Sequence, residues 1–208
     1  MMQPKAAIND FVIKFANVNG TGSASANGMF AKAIFRMGIP VSPRNIFPSN
    51  IQGLPTWYEV RISQDGYLGR RGGIDMMVSV NPQSFAKDVG EVEPGGYMLY
   101  DSTKPLDLRH VRRDIHYLGI PLTEMCLREY TDSRQRQLFK NVIYVGALSA
   151  LLNIDFAILK DLVSEQFKGK EKLITPNIHA LELGHQYAST HFQCPLGIHL
   201  KAGEQTPK

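Results

Sequence analysis

The sequence predicts an α/β protein: a three-layer α/β/α domain with a central mixed, largely parallel sheet and a helical C-terminal part. The order of the predicted elements supports this, because a strand, a glycine loop and a helix open the chain, further strands follow, and the last third is helical. With 208 residues, 43% of them hydrophobic, the chain can bury one large core. We therefore expect one domain over residues 1–200 and a polar tail or linker over residues 201–208.

The first strand, loop and helix form the clearest predicted unit. Residues 11–16 are almost entirely apolar, which is typical of a strand in a sheet that is covered on both faces. The loop 17–22 follows at once. A helix predicted from Ser23 then places apolar residues three and four apart until Gly38 ends it. A second strand is predicted over residues 41–47.

The rest of the chain is predicted from the same two patterns. Alternating or continuous apolar runs predict strands over residues 57–63, 74–80, 96–101 and 115–121, with a short helix that begins near residue 82. Apolar residues three or four apart predict three C-terminal helices. The first is capped by Ser133, the second covers residues 156–167, and the third begins at Thr175 and Pro176, with Thr as the cap.

Charge and cysteine content exclude several classes of protein. The net charge of +4 comes without a dense basic stripe, so we expect no nucleic-acid partner. Cys126 and Cys194 are too few to hold an iron–sulfur cluster, and the histidine spacing contains no metal motif, so we expect no metal on this chain. No leader or membrane-spanning pattern is present, and we expect a soluble cytoplasmic chain with no membrane partner.

The loop 17–22, Asn-Val-Asn-Gly-Thr-Gly, carries the strongest chemical signal. A loop between a strand and a helix directs backbone N–H groups and the positive end of the helix dipole at one point, which suits a phosphate or pyrophosphate. Glycine tolerates the positive φ that such loops need, and asparagine tolerates it better than most residues. Nearby hydroxyl groups can donate to an anion. The candidate binding residues are Asn19, Gly20, Thr21, Gly22, Ser23 and Ser25.

The residues alone leave the ligand open. The dinucleotide pattern G-x-G-x-x-G is only partly present and no acid follows the second strand, which makes a nicotinamide-dependent dehydrogenase the weaker alternative. A tight turn without any ligand is another alternative. Arg70 and Arg71 stand between glycines and are candidates for contacting a phosphate, although a solvated hairpin end would have the same sequence. No catalytic residue is predicted.

Two stretches resemble the gamma domain of the 2-oxoacid:ferredoxin oxidoreductases. They are residues 11–37, which contain the loop, and residues 48–63, Pro-Ser-Asn-Ile-Gln-Gly-Leu-Pro-Thr-Trp-Tyr-Glu-Val-Arg-Ile-Ser. The resemblance extends to Asn-Ile-His-Ala at residues 177–180 and to Gly184. The chain departs from the family motifs G-x-G-G-x-G and S-E-x-R-G-G at Asn17, Asn19, Asn50, Gln52 and Leu54. These departures resemble the form in which the gamma domain precedes an alpha domain in a longer subunit.

The resemblance implies a role in a larger enzyme. Its members convert a 2-oxoacid to an acyl-CoA, or run the reverse reaction, with thiamine diphosphate, Mg²⁺ and [4Fe-4S] clusters on partner subunits and with ferredoxin as the electron carrier. The gamma domain is associated with binding coenzyme A. The resemblance thus implies coenzyme A on this chain, alpha and beta subunits as partners, and a 2-oxoacid substrate, with 2-oxoglutarate favoured over pyruvate.

The second stretch adds Ser49, Asn50 and Gln52 to the candidate coenzyme A residues. This chain would then be a non-catalytic or coenzyme A-binding component of the enzyme. A structural interface subunit of the same complex, without a ligand, is the alternative.

Overall fold

The computed structural model describes residues 3–17, 20–47 and 55–203. Its centre is a six-stranded sheet with the strand order β3-β4-β2-β5-β6-β7. The strands are β2 (Asp10–Asn17), β3 (Val41–Ile46), β4 (Thr56–Ser63), β5 (Ile74–Ser79), β6 (Val92–Asp101) and β7 (His116–Ile120). β2, β5, β6 and β7 are parallel, and β4 runs antiparallel to both of its neighbours. The mixed, largely parallel sheet is therefore confirmed.

Helices cover the two faces of the sheet unequally. In the described ranges the helices are α1 (Ser23–Arg36), α2 (Phe85–Glu91), α3 (Leu122–Glu129), α4 (Ser133–Leu151), α5 (Phe156–Gln166) and α6 (Glu171–His191). The main core joins the sheet to α1 and to α3–α6. The other face carries a smaller apolar cluster with α2, which contains Val12, Met77 and Val89. The predicted α/β/α layers are thus one thick and one thin helical layer.

Two predicted helix starts are wrong by up to one turn. Asp132, not Ser133, caps α4, because its carboxylate accepts a hydrogen bond from the N–H of Gln135 at 2.8 Å. α6 begins at Glu171, so that Pro176 lies inside the helix. A proline this close to the amino end removes one backbone hydrogen bond and still leaves the longer helix intact.

Several short elements were missed because their sequences show no period. α3 has 8 residues, too few for a periodic pattern to stand out. β1 (Ala7–Ile8) and β8 (Ile198–His199) have 2 residues each and pair in parallel. β6 begins at Val92 rather than at residue 96, since Pro94 and Gly95 interrupt its apolar run.

α4 and α6 cross at two glycines. A Cβ added to Gly184 would lie 1.8 Å from the carbonyl oxygen of Ile143, and one added to Gly146 would lie 2.1 Å from that of Leu181. Two helix backbones approach this closely only where side chains are absent. The crossing holds α4 inside the core, where residues 141–152 are all buried.

Gly184→Ala should lower the free energy of unfolding by about 3 kcal/mol, because the added methyl group overlaps a backbone carbonyl. Gly28→Ala in α1 is the matched control, since a Cβ there meets no atom of the described residues within 4 Å. Helix propensity predicts a gain of about 0.5–1 kcal/mol for that control. Urea unfolding of both variants measures these changes, and a loss below about 1 kcal/mol in Gly184→Ala would contradict the close crossing.

Candidate functional site

A cavity of about 790 Å³ opens where the carboxyl ends of the parallel strands meet. Its walls come from the turns after β2, β5 and β6 and from the first half of α4. The residues that line it include Thr21, Lys104, His110, Lys140 and Asn141. Open α/β sheets bind their ligands at the carboxyl ends of their strands, and the volume of this cavity suits a small-molecule ligand.

The turn between β2 and α1 presents the amino end of a helix to this edge. Gly22 caps α1 in the left-handed conformation, with φ of 79°, and as a glycine it has no side chain that could accept a hydrogen bond from the first N–H groups of the helix. The first N–H groups of any helix lack an internal acceptor, so this end carries partial positive charge. α4 fixes the turn from behind, because the amide of Asn141 donates to the carbonyl of Thr21 at 2.7 Å.

The structure brings one predicted loop residue, Thr21, into the cavity wall. Gly20 is exposed beside it, whereas Ser23 is buried. Ser25 is exposed on the side of α5, where its hydroxyl accepts a hydrogen bond from Gln166 at 3.0 Å. Ser23 and Ser25 are therefore not brought into the cavity wall with Thr21. The predicted residues Asn19, Ser49, Asn50 and Gln52 lie outside the described residues.

Leu138 of α4 closes one side of the turn. Its Cδ2 atom lies 2.5 Å from the position that a Cβ on Gly22 would take. Among the described residues, nothing lies within 4 Å of the equivalent position on Gly20. The described part of the turn is therefore closed toward α4 at Gly22 and open at Gly20.

Arg70 and Arg71 lie at the opposite end of the sheet, where the parallel strands begin. Both precede β5, which is parallel to β2, so they stand at the amino ends of the strands while the loop stands at the carboxyl ends. Arg71 forms an ion pair with the buried carboxylate of Asp75, which also pairs with Lys5. The structure therefore separates these arginines from the β2–α1 turn, against the expectation that they share a ligand with it.

Asp101 lies at the centre of a polar cluster in the cavity wall. This cluster was not predicted from the sequence. Its carboxylate accepts hydrogen bonds from the hydroxyl groups of Thr103 and Thr123, at 2.7 and 2.5 Å, and from the ammonium of Lys140 at 3.0 Å. Burial raises the pKa of Asp101, but these donors together outweigh it and hold the pKa below its ordinary value. The members come from three separate segments, so no local motif could reveal them.

Lys104 is a cation of the cavity wall that has no carboxylate partner among the described residues. Asp107, in the same wall, is neutralised by Arg109, whose hydrogen bonds lower the pKa of the Asp107 carboxyl to about 2. Lys140 is taken up by Asp101. In the described part of the chain no carboxylate pairs with Lys104, which is exposed. The cavity thus offers one free ammonium group to an anion.

Asp88 holds the turn between β5 and α2 from behind the cavity. It is fully buried and accepts hydrogen bonds from the indole N–H of Trp57 at 2.8 Å and from the hydroxyls of Ser79 and Ser84 at 2.7 and 2.8 Å. Burial raises the pKa of this carboxyl, and the three donors oppose the shift. The turn is therefore tied to the beginning of β4.

Comparison with known proteins identifies the family. Residues 12–187 match the model of the pyruvate ferredoxin/flavodoxin oxidoreductase family. The chain belongs to this family. Subunit alpha of 2-oxoacid:ferredoxin oxidoreductase 2 from Aeropyrum pernix is 23% identical over 89% of this chain and 35% of its own length. The 2-oxoglutarate synthase subunit KorC from Archaeoglobus fulgidus is 25% identical over 83% of this chain and 84% of its own length.

Solved structures share the fold of this oxidoreductase family member. A 2-oxoglutarate:ferredoxin oxidoreductase from Magnetococcus marinus, with 2-oxoglutarate, coenzyme A and succinyl-CoA bound, aligns with a TM-score of 0.83 and 24% identity, over 96% of this chain and 34% of its own. A keto/oxoacid ferredoxin oxidoreductase gamma subunit from Geobacter sulfurreducens aligns with a TM-score of 0.70 and 18% identity, over 86% of this chain and 99% of its own. The resemblance read from the sequence is confirmed. The chain spans about a third of the longer relatives.

Two further features of this oxidoreductase family member concern metals and membranes. Among the described residues, no group of three His, Cys, Asp or Glu side chains is placed to hold a metal ion. The helices in those same ranges are all too short or too polar to cross a membrane. Cys126 is buried and unpaired, and burial raises the pKa of its thiol to about 11.

Asp101→Asn should lower the free energy of unfolding at pH 7 by about 1–3 kcal/mol, because charge-assisted hydrogen bonds in the cavity wall are lost. The folded-state pKa is depressed, so the carboxylate stabilises the fold above its unfolded pKa of about 4, and this stabilisation disappears as the pH falls through the folded-state pKa. The difference between wild type and variant should therefore shrink from pH 7 to about pH 2. An unchanged difference in urea unfolding at both pH values would contradict this.

Proposed function

We propose that this chain holds coenzyme A in a 2-oxoacid:ferredoxin oxidoreductase. The observation that carries the proposal is the cavity that both Thr21, next to the glycine-capped start of α1, and the free ammonium of Lys104 line. Coenzyme A carries a pyrophosphate and a further phosphate. Helix amino ends and lysine ammonium groups both bind phosphate.

The charges of the cavity are compatible with such an anion. Its two wall carboxylates are already neutralised, Asp101 by Lys140 at 3.0 Å and Asp107 by Arg109 at 2.6 Å. The helix amino end and Lys104 then remain to face the ligand. The volume of about 790 Å³ also lies within the usual range of ligand sites, about 300–1,000 Å³.

The contribution of this chain is binding and orientation. Coenzyme A supplies, when bound, the thiol that accepts the acyl group. The N–H groups at the start of α1 hold a phosphate, Lys104 balances its charge, and the turn fixed by Asp88 keeps the cavity in shape. Holding the thiol carrier in one orientation raises its effective concentration at the reacting carbon on a partner.

We place the other components of the enzyme on partners. Alpha and beta subunits or domains carry thiamine diphosphate, Mg²⁺ and [4Fe-4S] clusters, and the assembled complex reduces ferredoxin. We propose 2-oxoglutarate rather than pyruvate as the substrate. Two relatives support this choice, because KorC is named as a 2-oxoglutarate synthase subunit and KorA from Mycobacterium tuberculosis as a 2-oxoglutarate oxidoreductase subunit. The free cysteines support a reducing, cytoplasmic location.

A structural interface subunit without a ligand is the second candidate. Two observations favour it: Leu138 lies against Gly22, and Asn141 already occupies the carbonyl of Thr21. In this case α4 rather than a ligand would complete the β2–α1 turn. The two candidates differ in whether a cavity cation affects coenzyme A.

Lys104→Glu in the assembled enzyme should raise the KM for coenzyme A about tenfold and leave the KM for 2-oxoglutarate unchanged, because the variant turns an attraction for phosphate into a repulsion. Lys168→Glu, an exposed lysine beyond the end of α5, is the matched charge control. Initial rates with a viologen as electron acceptor measure both constants. If Lys104→Glu leaves the coenzyme A constant unaltered, the interface candidate is correct instead.

A further inference from the structure

We propose that the outer edge of β7 pairs with an extended, acidic segment of another subunit of the same oxidoreductase. In the described part of the sheet, β7 is the last strand and pairs with β6 alone. An edge strand offers unpaired backbone N–H and C=O groups, which an added strand satisfies. The inference rests on the proposed function only for the identity of the partner.

The two edges of the sheet differ in their protection against strand addition. β3, at one edge, contains Pro43 and Arg44. Proline removes a ladder donor, and a charged side chain opposes pairing with a further strand. β7, at the other edge, reads His-Tyr-Leu-Gly-Ile and has neither proline nor a carboxylate, ammonium or guanidinium group. Its register with β6 also shows no bulge. β7 therefore keeps the open edge that β3 has lost.

The backbone of β7 shows which groups face outward. The carbonyl of Ile120 accepts a hydrogen bond from the N–H of Ser102, at 2.9 Å, on the side of β6. Backbone groups of successive strand residues point to alternate sides. Leu118 therefore faces β6 as well, and Tyr117 and Gly119 face away from it. Each of these two residues offers one donor and one acceptor to a new strand.

A cleft of about 530 Å³ is formed by residues of β7 and by the segment that follows α6. Tyr117 and Leu118 of β7 line it with Tyr97 of β6, and so do Phe192, Pro195 and Leu196. A strand added to β7 would place alternate side chains among these apolar groups. The cleft thus supplies contacts in addition to the backbone pairing.

One basic side chain indicates the chemistry of the occupant. Arg113 is exposed in the cleft and has no carboxylate partner in the described ranges, whereas Arg109 and Arg112 pair with neighbouring aspartates. A carboxylate would satisfy Arg113. An acidic peptide segment provides such a group.

Hydrogen–deuterium exchange with residue-level resolution tests the pairing. The chain is compared alone and in the holoenzyme, which is isolated from its host through a tag on this chain. We expect the amides of Tyr117 and Gly119 to exchange at least tenfold more slowly in the holoenzyme, and that of Leu118 to change little, since it already faces β6. Equal rates for Tyr117 and Gly119 in both states would overturn the proposal.

Charge reversal tests the chemistry of the occupant. Arg113→Glu should weaken assembly of the holoenzyme roughly tenfold, measured by sedimentation on dilution. Arg134→Glu, an exposed arginine in the first turn of α4, is the matched control and should assemble like wild type. Urea unfolding of both variants verifies that the fold is intact. Equal assembly of the two variants would remove the acidic partner from the proposal.

Two outcomes distinguish pairing with another subunit from self-association and from a failure of coenzyme A binding. If the chain alone gains protection at Tyr117 and Gly119 as its concentration rises, a second copy occupies the edge and the inference is wrong. The coenzyme A KM of the Lys104→Glu holoenzyme reports on the proposed function separately. A raised KM with an unprotected edge defeats the inference alone, and an unaltered KM with a protected edge defeats the proposed function alone.

Discussion

The glycine crossing of α4 and α6 is the constraint on which the candidate site depends. Because Gly146 and Gly184 let two backbones touch, α4 lies deep in the core and its first half reaches the carboxyl edge of the sheet. There Asn141 binds the carbonyl of Thr21, and the hydroxyl of Tyr144 donates to Asn27 at 2.6 Å. The start of α1 is thus fixed by a helix that lies more than 100 residues later in the chain.

Local patterns in the sequence predict the frame of the fold well. The opening strand, loop and helix were predictable because an apolar run, a glycine-containing loop and a 3.6-residue period stand next to one another. Interactions between distant segments were not predictable. Arg71 lies between glycines, as a phosphate-binding arginine often does, yet its partner is Asp75. Only the direction of β5 shows that Arg71 lies at the amino ends of the strands, away from the β2–α1 turn. Asp101, Thr123 and Lys140 are invisible as a cluster until the fold assembles them.

The electrostatics of the cavity follow from the same assembly. Each wall carboxylate has its own cation, so among the described lining residues Lys104 is left with an uncompensated positive charge, and Thr21 in the same wall precedes the start of α1. One segment, residues 102–115, contributes Lys104 and His110 to this cavity and Arg113 to the cleft beside β7. The proposed ligand site and the proposed partner edge are therefore built on a shared connection between β6 and β7.

A cryo-electron microscopy map of the assembled enzyme saturated with coenzyme A tests coenzyme A binding by this chain most directly. We expect density for a phosphate group of coenzyme A within hydrogen-bond distance of the N–H groups at Gly22–Ala24, with further density of the ligand beside Lys104. Coenzyme A density confined to other subunits, with the cavity filled by water or by partner side chains, would contradict it.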